Sequence, residues 1–161
     1  MRIRELIQGG LTAHDDHLIA VDDLVRFRER GAPRVLRDRV SGGLDVEVLP
    51  ERGLDIGAAW FGGEPVAWTT PVADPRPLRR PRGEQWRDRW GGGLVTTCGL
   101  DNIGPPRGDS GLHGSCSHTR AQQVSWQSLI DVDRASVVVR GRIPDRRRGV
   151  GVPGVAAARH H

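Results

Sequence analysis

Residues 35–68, VLRDRVSGGLDVEVLPERGLDIGAAWFGGEPVAW, decide the fold. Four short runs, 35–40, 44–49, 54–61 and 64–68, are separated by Ser41-Gly42-Gly43, Pro50-Glu51-Arg52-Gly53 and Gly62-Gly63. Leu44, Val46 and Val48 alternate with Asp45, Glu47 and Leu49, the period of a half-buried strand. Gly62-Gly63 between two strand-like runs is the signal of a two-residue hairpin. Short strands at such close spacing point to an all-β antiparallel sandwich rather than a parallel α/β sheet.

Downstream, residues 91–102 read GGGLVTTCGLDN. Three glycines open a β-branched apolar run, 94–98, which reads as a buried strand ending in Asp101-Asn102. Gly104-Pro105-Pro106 then breaks the chain into a loop that delivers His113 between Gly111 and Gly114. Carboxylate, amide and imidazole thus follow one strand end, where a site is commonly built. Residues 116–129 return to strand-like alternation around Val124 and Trp126, and SVVVRGRI (136–143) is a further strand. Residues 71–81, with four prolines, read as an exposed connection. Trp86 and Trp90 suit core packing, since two aromatics alone do not make a sugar-binding surface.

The flanks carry less pattern. Residues 21–30 (VDDLVRFRER) are expected to form a short amphipathic helix in an N-terminal extension, 1–34. Residues 144–161 have no period and no cap, and are expected to be a disordered basic tail. The sandwich is placed between them, at 35–143. All 24 basic residues are arginine, and the net charge is +4. Arg146, Arg147, Arg148 and Arg159 against Asp145 put +3 of that in the tail, so the body is nearly neutral. Nucleic acid is therefore the disfavoured partner, and a tail-borne interaction module is the alternative reading. No apolar run is long enough for a membrane helix, and the first residues alternate charge and apolar side chains without the apolar run of a secretory signal, which leaves a cytoplasmic expectation. Two cysteines, Cys98 and Cys116, read as reduced thiols.

Spacing bears on several chemistries. Cys98, His113, Cys116 and His118 lack the paired spacing of a zinc site, and His14, Asp15, Asp16 and His17 read as a solvated loop. Ser110, Ser115 and Cys116 lie near His113 without a nucleophile elbow. The glycine triplet is followed by no GK[ST] and is not a phosphate loop. General acid–base work by His113, with Arg52, Asp55 and Asp101 orienting a polar substrate, stands beside a plainer reading: Arg52–Asp55 as a structural ion pair and His113 as a loop residue.

LPERGLDIGAAWFGGEPVAWTTP, WGGGLVTTCGLDNIGPP and GLHG, in that order, resemble the aldose 1-epimerase or galactose-mutarotase-like superfamily, and within it a little-characterised bacterial branch. The resemblance covers about residues 35–143 and only the N-terminal half of the family's fold. It implies an antiparallel supersandwich holding an aldose in a cleft, here incomplete. It also implies cofactor-free, metal-independent interconversion of α and β anomers by acid–base catalysis. The LHG histidine of mutarotases corresponds to His113, as the catalytic group. Arg52, Asp55, Asp101 and Asn102 match motif positions and are the expected substrate-binding residues. The family's second histidine and catalytic carboxylate lie beyond the resemblance, so weak or absent activity is expected of this chain.

Overall fold

The computed structural model describes residues 3–25, 33–71, 77–131, 134–145 and 151–159, the last by backbone alone. Strands dominate. β1 (Ile19–Val25), β2 (Arg34–Val40), β3 (Leu44–Leu49), β4 (Asp55–Phe61) and β5 (Glu64–Pro65) form a five-stranded antiparallel sheet in chain order. Two short strands, β6 (Trp68–Thr69) and β7 (Gly92–Gly93), pair beside it. β8 (Gln122–Asp131), β9 (Arg134–Pro144) and β10 (Gly151–Arg159) form a three-stranded sheet with β9 in the centre. Helices are short: α1 (Ile3–Gln8) and α2 (Gln85–Asp88).

The two larger sheets bury one core between them. Leu36, Val40, Val46, Val48 and Ala59 of the first meet Ala135, Val137 and Val139 of the second. Alternation along each strand sends these side chains to one face. The expected all-β antiparallel sandwich is the architecture found. Its hairpins follow the glycines: Gly62 and Gly63 both take positive φ (58° and 87°), as a twisted two-residue turn requires.

Three expectations are corrected. Residues 19–25 are strand, not helix, and residues 26–30 of the expected helix lie outside the described residues. Cross-strand charge decides this. Asp23 pairs with Arg34 at 2.7 Å and Asp22 with Arg39 at 3.0 Å, both diagonal neighbours on β2. The segment before residue 35 is thereby part of the sheet. Second, the run 94–98 is not a buried strand: Leu94 and Val95 are exposed, and only Val95 bridges to Ile56. Gly92 and Gly93 at positive φ turn the chain out of extended register, so it meets β4 through scattered hydrogen bonds at Leu94, Val95 and Thr97 rather than a ladder. Third, residues 151–159 of the expected disordered tail form β10, hydrogen-bonded along β9. Arg146–Arg148 lie outside the described residues.

Candidate functional site

The site loop is closed at its base. Gly99 and Gly114 form a parallel bridge, with Gly99 N–H donating to His113 O at 3.0 Å. A Cβ on Gly114 would lie 2.4 Å from Asn102 O and 2.6 Å from Gly99 O, so no side chain fits there. Inside the loop, Asn102 Nδ2 donates to Pro105 O (2.7 Å) and Gly111 O (2.9 Å). Asp101 Oδ1 accepts from Ser115 N–H (2.7 Å) and Ser115 Oγ (2.9 Å). Both motif side chains therefore hold the loop's own backbone.

His113 differs. Its backbone takes φ +54°, a left-handed conformation that a non-glycine residue adopts only under constraint, and its N–H donates to Gly104 O at 2.9 Å. Neither imidazole nitrogen is hydrogen-bonded to a described residue. The half-buried ring instead meets the edge of Trp86, with centroids 5.0 Å apart. Trp86 stacks on Trp90 with centroids 5.3 Å apart, and Trp90 meets Trp68 at a 43° tilt, also at 5.3 Å. Two indole N–H groups fix the ladder: Trp86 Nε1 donates to Ser117 Oγ (2.9 Å) and Trp90 Nε1 to Thr96 Oγ1 (3.1 Å). Trp86 and Trp90 share one face of α2 and its C-terminal turn, four residues apart.

Beside this ladder lies a buried polar strut. Arg52 and Asp55 flank Gly53, which takes φ +62° where a Cβ would strike Cys116 O. Arg52 Nε sits 3.5 Å from Asp55 Oδ2, and Arg52 Nη1 donates to Arg89 O at 2.8 Å, next to Trp90. Asp55 Oδ1 accepts from Thr97 N–H (2.7 Å) and Thr97 Oγ1 (2.6 Å). Burial pushes the Asp55 carboxyl up to about 6 against the opposing pull of Thr97 and Arg52. His118 is also buried; its Nδ1 accepts from Leu78 N–H at 3.0 Å, which places the proton of the neutral ring on Nε2. Burial, then the Arg52 and Arg89 charges, pull His118 down to about 4, so it is neutral at pH 7.

An open cavity of about 350 Å³ lies on the other side of Asp101, walled by Arg79, Arg80, Arg82, Asp109, Ser115 and Thr119. Its guanidinium and carboxylate groups suit hydroxyl-rich ligands. Asp101 is on the wall; His113 is not. The structure thus joins Asp101, Asn102 and His113 in one loop, and sets Arg52 and Asp55 apart in the strut. Among the described residues, no three His, Cys, Asp or Glu side chains gather as metal ligands. Nor is any described helix long and apolar enough to cross a membrane.

Sequence reasoning missed Trp68 and treated Arg79, Arg80 and Arg82 as part of an exposed connection. The Trp86/Trp90 spacing was a readable sign of one shared face; the approach of Trp68 depends on β6 pairing with β7.

A crystal structure described as a "putative aldose 1-epimerase" from Klebsiella pneumoniae subsp. pneumoniae MGH 78578 is similar to this chain, with TM-score 0.72 and 19% identity. The match covers 92% of this chain and 42% of that one, so the chain spans less than half of that protein's length. The similarity establishes a galactose-mutarotase-like fold. No curated protein matches the sequence. Residues 29–150, which hold the RGLD, GLDN and GLHG motifs, match the family described as "Domain of unknown function (DUF4432)", and the chain belongs to that family.

Proposed function

We propose that this chain carries an aldose-binding site of the aldose 1-epimerase type, centred on His113. One observation carries the reading: His113 is held in a left-handed conformation with both ring nitrogens left to a ligand. A left-handed backbone at a titratable side chain, in a loop that Asp101 and Asn102 hold in shape, is a pattern found at functional positions, although Leu100 in the same loop shares that conformation. An imidazole there is suited to carry a proton in general acid–base catalysis. It would take the anomeric hydroxyl proton of an aldopyranose as the ring oxygen gains one. The ring opens, the C1 bond turns and the ring recloses, with no cofactor or metal required.

That reaction needs a second, opposed proton carrier. Asp109 is the carboxylate nearest in sequence; it and Asp101 line a cavity that His113 does not, and Asp101 Oδ1 is occupied by Ser115, so neither opposes His113. The chain is expected to bind aldoses weakly and to mutarotate them no faster than buffer. Saturation-transfer NMR with several aldoses, on wild type and His113→Ala, tests the site. Loss of transfer in the variant supports it, and no transfer in wild type overturns it. Polarimetry on fresh α-anomers tests the missing partner: mutarotation above buffer that disappears in His113→Ala would show a complete catalytic pair.

A further inference from the structure

The two larger sheets end in β1, β5, β8 and β10, and these edges are not alike. β1 carries Asp22 and Asp23, each matched by an arginine of β2. β5 is two residues long and ends in Pro65. β10 contains Pro153, which has no N–H to give. Charge, shortness and proline are the usual guards of a sheet edge, and β8 has none of them over most of its length. It runs for ten residues, and from Gln122 to Ile130 it holds no charge and no proline. No described residue pairs with its outer side. Its ladder with β9 is regular from Ser125 to Asp131, so alternate residues along that length turn their N–H and C=O groups outward. Trp126 (39% exposed) and Leu129 (44% exposed) add apolar surface to the same strand.

We infer that β8 pairs antiparallel with β8 of a second copy of this chain, about a two-fold axis at Ser128, so that two three-stranded sheets become one. The occupant follows from the strand's complementarity to itself. Ser128 is the middle of the regular stretch 125–131. Turned about it, Trp126 of each copy lies opposite Ile130 of the other, an aromatic–β-branched pair made twice. Gln127 lies opposite Leu129, and Asp131, the one charge in the stretch, opposite Ser125, so no like charges meet. Beneath β8, the Asp22 and Asp23 carboxylates of β1 are already compensated by Arg39 and Arg34. Each copy uses its one unguarded edge, so the assembly closes as a dimer and does not grow into a fibre. This surface is separate from the His113 loop and stands whether or not an aldose binds there.

Sedimentation velocity on the full chain, in a concentration series reaching about 1 mM, reads the association. Wild type is expected to pass reversibly from monomer to dimer and to go no further. Ser128 is exposed, so Ser128→Lys and Ser128→Glu should leave the fold intact, which far-UV circular dichroism checks. Each variant sets like charges against each other on the axis and should weaken its own dimer roughly tenfold or more. An equal mixture of the two puts opposite charges there and should restore association to the wild-type level, which also shows that both variants fold. The pairing is overturned if wild type stays monomeric throughout the series or grows into larger assemblies. It is equally overturned if the charged variants dimerise as wild type does, or if mixing them restores nothing.

Discussion

The RGLD turn and the GLDN–GLHG loop both belong to the motifs that mark this chain, yet they use their polar groups in opposite ways. In the turn, Arg52 and Asp55 are buried and bonded to Thr97 and Arg89 O. In the loop, Asp101 and Asn102 bond Ser115 and the backbone at Pro105 and Gly111, whereas the His113 ring is bonded to no described residue. A motif residue can thus serve a site by holding it rigid, and only removal of each side chain separates scaffold from chemistry.

The largest difference should come from Asp55→Ala. It leaves the Arg52 guanidinium buried without its carboxylate, which costs about 3–5 kcal/mol in urea unfolding. A loss below about 1 kcal/mol would mean that the strut is not structural. Gly114→Ala comes next, at about 2–3 kcal/mol, because its Cβ would overlap Asn102 O and its φ is +80°. Hydrogen exchange should localise the opening to residues 99–114, in contrast to the global loss expected for Asp55→Ala.

A second pair of carboxyls sharpens the same contrast. Asp38, on β2, points into the sandwich core, where its Oδ1 is hydrogen-bonded to no described residue, and burial pushes it up to about 7. Asp55 is bonded on both oxygens and rises only to about 6. For both, the folded state holds the proton more tightly than the unfolded chain. Their stabilisation is therefore present below about pH 4 and lost as pH rises toward 6–7. His118, pulled down to about 4, has the opposite sign: its contribution is present above about pH 6.5 and lost as pH falls toward 4. Asp38→Asn should raise stability above pH 7 by about 2 kcal/mol and leave it unchanged below pH 4. Thermal unfolding at pH 4, 6 and 8 reads this directly, and an equal shift at all three would refute it. The smallest effect belongs to His113→Ala. It removes one edge contact with Trp86 and should change stability by less than about 1 kcal/mol. A cost as large as that of Asp55→Ala would make His113 a scaffold residue too.

Local pattern revealed the hairpins because their cause is local. Gly62-Gly63 turns the chain without reference to anything distant, and SVVVRGRI carries its own strand period. β1 was misread because VDDLVRFRER supports both periods, and its deciding partners, Arg34 and Arg39, belong to another strand. Val152, Val155 and their neighbours show no strand signal until β9 offers them a ladder. At the site, the loop motifs were legible as text, but their division of labour was not. Whether Asp101 faces a sugar or Ser115 depends on the Gly99–Gly114 closure, and the Trp68 end of the ladder depends on β6 meeting β7.

That closure has an evolutionary consequence. Because Gly99 meets Gly114, the outer segment at 105–109 hangs from a clamped neck, and Arg107 and Ser110 exchange backbone hydrogen bonds across its tip. Insertions, deletions or substitutions there would redraw the rim of the cavity at Asp109 without moving His113. Such an arrangement uncouples the shape of the rim from the position of the imidazole, and lets selection vary the first while the second stays fixed.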